Sequence, residues 1–177
     1  MKYGIVAIFL LVCSVFIYSS NWFQSFFYND QFYKRIYDGP FDVTVEKTAI
    51  RIPLKYKYDT CYDVAIAIHG AELFNSFRVG NGVLAYRFIS QGKVIAEGTT
   101  PQPSSRSLGS YNGFSTLSVL VFDLPFPGAG DDLTLELKVI EPFTFLKEYA
   151  AKTFCQISPD YDPVSGGCYN ENLGITR

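Results

Sequence analysis

Residues 61–69 read CYDVAIAIH, and the alternation in that run decides the fold class. Successive side chains of an extended chain point to opposite sides, so Tyr62, Val64, Ile66 and Ile68 share one face while Asp63, Ala65, Ala67 and His69 share the other. One face is therefore buried. The second face carries small residues, which leaves room for close cover.

The same period extends in both directions. Upstream, Phe41, Val43 and Val45 alternate with Asp42, Thr44 and Glu46, and Ile50, Ile52 and Leu54 alternate with Ala49, Arg51 and Pro53. Pro53 has no N–H to give a ladder and suggests an edge strand or a bulge. Downstream, 83–90 and 93–97 flank Gln91-Gly92, which predicts a two-residue hairpin turn with glycine at positive φ. Residues 115–124 and 133–140 are the strongest strand patterns, joined by 125–132, a turn dense in Pro, Gly and Asp. Residues 98–113, GTTPQPSSRSLGSYNG, contain almost no apolar side chain and read as a long surface loop. The sum is about seven short strands with no amphipathic helix dividing them, which predicts an all-β, antiparallel, immunoglobulin-like sandwich, with a jelly roll second. Past Pro142 the period changes. Residues 143–154 predict one short helix with Leu146, Tyr149, Ala150 and Phe154 along one side, within a C-terminal helix and loop extension.

The N-terminus carries one Lys at position 2 and then an uncharged apolar run, 4–18. Fifteen helical residues rise about 22 Å, short of the roughly 20 residues that span a hydrocarbon core, so a signal peptide fits the length and a retained anchor fits the aromatics that follow. The bonds after Ser14 and Ser20 are both poor cleavage sites. Leu10-Leu11-Val12-Cys13 has the outline of a lipidation signal, but Val12 stands where a small residue is required, and an apolar Cys inside a hydrophobic helix is the better reading. Residues 20–37 place Trp22, Phe26, Tyr33 and Tyr37 at roughly helical spacing, which suits an interfacial helix or a tether packed on the next domain. The expected organisation is thus 1–19 signal peptide or membrane anchor, 20–38 aromatic juxtamembrane segment, 39–141 sandwich and 142–177 C-terminal extension.

A hydrophobic fraction of 48%, with 16 Phe and 13 Tyr, argues against disorder, because such a chain buries enough apolar area to offset its ordering entropy. Seventeen acidic residues against fifteen basic ones leave a formal charge of -2, with no basic block beyond pairs such as Lys34-Arg35. That balance argues against nucleic acid as a partner, which needs a clustered basic stripe. Beyond Cys13, the three cysteines Cys61, Cys155 and Cys168 have no CxxC spacing, so neither zinc nor a thioredoxin-like motif is supported. A local disulfide between Cys155 and Cys168 is favoured, leaving Cys61 a free thiol, with a pairing of Cys61 to either partner as the competing arrangement. The absence of an Asn-x-Ser/Thr sequon fits a bacterial envelope protein.

No chemistry-bearing motif stands out. His69 is the one histidine, no Gly-x-Ser-x-Gly elbow accompanies it, and a strand-end His is more often a surface or packing residue than a base. Asp131-Asp132 and Asp160-x-Asp162 sit in turns where Asp bonds its own backbone, and neither has the spacing of a calcium loop. Arg51, Lys55 and Lys57 interleave with Tyr56 and Tyr58, a basic and aromatic edge that suits an anionic or carbohydrate ligand but is read first as protection of an edge strand against aggregation. The expectation is no catalytic residue, no metal and no cofactor.

Gly39-Pro40-Phe41-Asp42-Val43, Arg51-Ile52-Pro53-Leu54 and Tyr62-Asp63-Val64-Ala65-Ile66 together resemble the opening strands of a poorly characterised family of exported bacterial lipoprotein-like β-sandwich proteins. The resemblance spans 39–140 and implies the fold and an envelope location, inner-membrane anchored facing the periplasm or periplasmic, but no activity. The expected function is a noncatalytic envelope protein that binds another protein through 98–113 and 125–132. One version is an immunity protein against a periplasm-acting toxin. The alternative is a carbohydrate- or surface-binding module, for which Tyr56, Tyr58, Tyr86 and Tyr111 would form an exposed aromatic row.

Overall fold

In the computed structural model, which describes residues 2–70, 80–101, 106–111, 113–126 and 130–170, the chain begins with three helices, α1 (Lys2–Ser19), α2 (Asn21–Phe27) and α3 (Asn29–Phe32). Nine strands follow among the described residues: β1 (Tyr37–Pro40), β2 (Ala49–Pro53), β3 (Cys61–His69), β4 (Val83–Ser90), β5 (Lys93–Thr99), β6 (Leu108–Tyr111), β7 (Phe114–Asp123), β8 (Thr134–Glu141) and β9 (Phe154–Pro159). Every pairing is antiparallel. One sheet has the order β1-β9-β3-β7-β6 and the other β2-β8-β4-β5, giving a β-sandwich-like fold.

The run 61–69 is the central strand of the larger sheet. It pairs with β7 from Cys61↔Asp123 to His69↔Phe114 and with β9 from Tyr62↔Pro159 to Ala67↔Phe154. Tyr62, Val64, Ile66 and Ile68 pack inward against Ile52, Leu84, Phe88, Leu135, Leu137 and Val139 of the facing sheet, all 1% exposed or less. Burying each such side chain stabilises the fold by about 1.5–3 kcal/mol relative to exposure. The small second face is also covered, with Ala65 and Ala67 at 6% and 0% exposure.

Local chemistry explains the connections. Gln91 and Gly92 both take positive φ, 52° and 71°, as the two-residue turn between β4 and β5 requires. The β2 strand lies at a sheet edge, where the missing N–H of Pro53 breaks no ladder.

Several expectations are corrected. The alternation over 41–46 is not a strand. Phe41 and Val43 are buried, but the Asp42 carboxylate accepts from the Thr44 N–H, the Thr44 hydroxyl and the Ala151 N–H at 3.0, 2.6 and 2.9 Å, closing a turn instead. The expected 98–113 loop contains β6. The expected helix over 143–154 is a 3-10 turn, Thr144–Tyr149, followed by β9. Helical spacing persists for that turn only, and Ala151 at φ 60° redirects the chain. β9, past residue 141, pairs with β1 and β3 in the larger sheet.

Candidate functional site

Strand register places four connections at one end of the sandwich: 54–60, Gln91-Gly92, 124–133 and 160–170. The helical N-terminus docks on this end. Asn21 Nδ2 donates to the Asp59 carbonyl at 2.7 Å and Tyr33 Oη donates to the Tyr161 carbonyl at 2.6 Å. Between them Phe32 is fully buried, its ring 4.6 Å from that of Tyr58 and 5.9 Å from that of Tyr161. Burial pushes the Tyr33 phenol up.

Beside this contact lies a groove of ≈ 300 Å³ whose walls include Phe32, Tyr58, Lys34, Arg35, Lys55 and Lys57, with no acidic residue among its lining. Two segments some twenty positions apart in sequence supply the four cations. Arg35 is engaged by Asp38 at 2.9 Å. Lys57 Nζ lies 3.0 Å from Tyr58 Oη and above its ring. The three lysines are exposed, and among the described residues none forms a salt bridge. Both Lys55 and Lys57 stand beyond Pro53, the last residue of β2, so protection of the edge strand does not account for them. A second hollow, formed by Ser19, Ser20 and Asn21 with Asp59, shares Lys57 and Tyr58, so the basic groove adjoins the α1–α2 junction.

On the outer face of the larger sheet, Asp63 accepts from Ser118 Oγ at 2.7 Å through Oδ2, while its buried Oδ1 has no hydrogen-bond partner among the described residues. Burial, reinforced by the neighbouring Asp160, raises its pKa to about 8. Asp160 is itself raised by burial, against hydrogen bonds of 2.9 Å from the Asn170 N–H and from Asn170 Nδ2. The Asp63 carboxyl is enclosed by the packing of the sheet, and Asp160 is held by the 160–170 loop.

The disulfide is corrected. Cys61 bonds Cys168, with their Cα atoms 6.1 Å apart, and Cys155 is a free, fully buried thiol. The register dictates this, because Cys155 pairs with Ile66 and so faces the core, while the 160–170 loop folds back over the start of β3 with the Asp160 N–H donating to the Cys61 carbonyl at 2.9 Å. Burial pushes the Cys155 thiol well up. Cys61, Cys168 and Asp160 bring three potential ligand atoms within 4.8 Å of one another, but the bonded sulfurs are not thiolates.

The remaining sequence candidates are dispersed. Tyr56 and Tyr58 stand in the 54–60 connection; Tyr86 shares the inward face of β4 with Leu84 and Phe88 and packs on the core; Tyr111 ends β6 at the opposite end, its side chain outside the described residues. They make no common row. The His69 ring lies 4.1 Å from that of Phe114 and 5.6 Å from that of Phe154, a packing arrangement. Asp132 organises the β4–β5 turn, accepting from Ser90 Oγ at 2.8 Å and the Gln91 N–H at 2.7 Å, and Asp162 accepts from the Val164 N–H at 2.9 Å. Pro101 and Tyr111 lie at the end of the sandwich opposite 125–126, while Ser107 between them reaches the 160–170 loop by donating to Asn170 Oδ1; 102–105, 112 and 127–129 are outside the described residues.

No protein-family model, curated protein or solved structure matches this chain. Its function rests on its own geometry.

One more feature escaped sequence reading. Arg106 is buried at the end opposite the groove, donating to the carbonyls of Gly82 and Pro101 with its guanidinium 4.9 Å from the Phe143 ring centroid. Burial lowers its pKa to about 10, opposed by nearby Glu141. An isolated Arg in a polar run gives no sequence signal of such a role.

Proposed function

We propose that this chain is a noncatalytic, membrane-tethered protein of the bacterial cell envelope, held at the inner membrane and facing the periplasm, whose immunoglobulin-like sandwich binds another protein. An immunity protein against a periplasm-acting toxin is the specific version. The resemblance to lipoprotein-like sandwiches agrees with this placement, with the helix rather than a lipid on Cys13 as the tether.

The observation that carries the reading is the exposure of α1. Phe9, Leu10, Leu11 and Phe16 are 60–73% exposed, and the apolar surface continues on α2 through Trp22, Phe26 and Phe27 at 48–65%. Contiguous apolar surface of this extent calls for an apolar environment. Among the described residues no single helix is long and apolar enough to cross a membrane, and Phe9–Ser19 reaches that length only together with Asn21–Phe27, bent from it by 66°; α1 is therefore the segment that enters the apolar phase, and α2, docked on the sandwich through Asn21, lies at its surface. The helical segment docks at one end, so the opposite end, carrying β6 and its loops, is the surface that faces away from the tether and is offered to a partner.

The test uses the full chain in mild detergent as bait in envelope extracts, with a photo-crosslinking residue at exposed Ser110 on β6 or at exposed Lys93 as the control position. A stoichiometric partner captured from position 110 and not from 93 supports the reading. Equal capture from both positions, or no partner, overturns it.

A further inference from the structure

We infer that the basic groove walled by Lys34, Lys55, Lys57, Phe32 and Tyr58 is a binding site for the phosphate-bearing headgroup of an anionic phospholipid. The inference rests on the tethered reading and names the partner of the tethered end.

Charge is the first argument. The chain is net negative, -2, yet four basic residues and no acidic one line this groove, although the Arg35 guanidinium itself turns toward the Phe114 ring, 5.1 Å away. Asp38 engages Arg35, and the three lysines are left without a salt bridge among the described residues. Gathering like charges in one hollow is unfavourable unless an anion neutralises them, and lysine is a compact point charge suited to phosphate.

Position is the second. Lys57 and Tyr58 belong both to this groove and to the hollow containing Ser19, Ser20 and Asn21, where α1 ends. The bend between α1 and α2 puts Trp22, Phe26 and Phe27 beside the same junction, exposed. Aromatic side chains of this kind lie at the headgroup level, and juxtamembrane lysines reach the lipid phosphates there. A volume of ≈ 300 Å³ is at the small end for ligand sites, suited to a headgroup rather than to a larger molecule. Tyr58, backed by the fully buried Phe32 ring, supplies apolar wall for the glycerol carbons, and the Lys57 contact with Tyr58 positions one cation beside it.

The test reconstitutes the full chain in nanodiscs of phosphatidylcholine with increasing phosphatidylglycerol. Amide hydrogen exchange is followed at 31–36 and 54–59. Protection of both segments is expected to rise with phosphatidylglycerol. Each Lys→Gln substitution among K34Q, K55Q and K57Q should weaken the apparent affinity about fivefold, and the three together on the order of a hundredfold, at low salt. K93Q, at the β4–β5 turn, should leave the titration unchanged. A wild-type response in the triple variant, or no dependence on phosphatidylglycerol, overturns the headgroup site while leaving the tether intact. The same protection produced in phosphatidylcholine nanodiscs by millimolar inorganic phosphate assigns the groove to a soluble anion and likewise overturns it. A chain that fails to co-elute with the nanodiscs overturns the tether, and with it the site.

Discussion

Cys61, the first residue of β3, is bonded to Cys168, 107 positions later, and this bond holds the 160–170 loop across the end of the sandwich that also receives Phe32. A closure of that length removes much denatured-state freedom. By the chain-entropy relation a loop of about 100 residues corresponds to about 4.7 kcal/mol, and loss of a native disulfide from a small exported domain costs about 2–5 kcal/mol. Cys168→Ser is expected to lower urea-unfolding stability within that range. In the unaltered chain, Cys155 should resist alkylation until denaturant is added, whereas a pairing of Cys155 with Cys168 would instead leave Cys61 to be labelled.

The Asp63 carboxyl sets a pH dependence. Its folded pKa of about 8 stands above the 3.8 ordinary for an aspartate, so between these values the folded chain binds the extra proton. Stability therefore falls as pH rises from about 4 to about 8, and below the unfolded pKa this group has no differential effect. Asp160, also raised, acts in the same direction. Asp63→Asn keeps an uncharged group beside Ser118 and is expected to stabilise the protein at pH 8 by on the order of 1–3 kcal/mol while flattening the dependence. Thermal unfolding between pH 5 and pH 8 reads this directly; an unchanged slope in the variant would exclude Asp63 as its source.

Phe32 joins the helical segment to the sandwich. Its replacement by Ala removes a fully buried ring packed on Tyr58 and Tyr161 and is expected to cost about 3–5 kcal/mol. The loss should concentrate locally. Hydrogen exchange at 21–33 should accelerate, while the β3 amides, hydrogen-bonded on both sides, keep their order of protection.

Gly82 and Arg106 make a structural pair at the opposite end. Gly82 has φ 112°, and a Cβ there would meet the Phe143 ring at 2.5 Å, so Gly82→Ala is both strained and clashing. A destabilisation of about 2–4 kcal/mol is expected by equilibrium unfolding. Arg106→Lys keeps the charge but cannot donate to both carbonyls while staying over Phe143, and should cost about 1–3 kcal/mol.

Much of the strand content was legible because its signal is local. In β4 and β8 the period-two pattern coincides with one buried face, β3 and β7 carry it although both of their faces are largely covered, and Gln91-Gly92 marks its turn by backbone chemistry alone. The pattern misled at 41–46, where burial of two side chains in an Asp42-closed turn imitates a strand, and it was too short in β1, β6 and β9 to be separated from loop.

What the sequence determined by itself was the local state of each segment: an apolar N-terminus, alternating strands, glycine turns and a balance of charge without blocks. Only the tertiary structure decided what meets what. Strand register turned Cys155 inward and brought Cys168 to Cys61; β9, inserted between β1 and β3, carried the sheet beyond the expected boundary; and docking of α3 on the 54–60 connection gathered Lys34 with Lys55 and Lys57. Pairing between distant strands is set by the summed burial and ladder hydrogen bonds of the whole sandwich, and no short window of residues contains that sum.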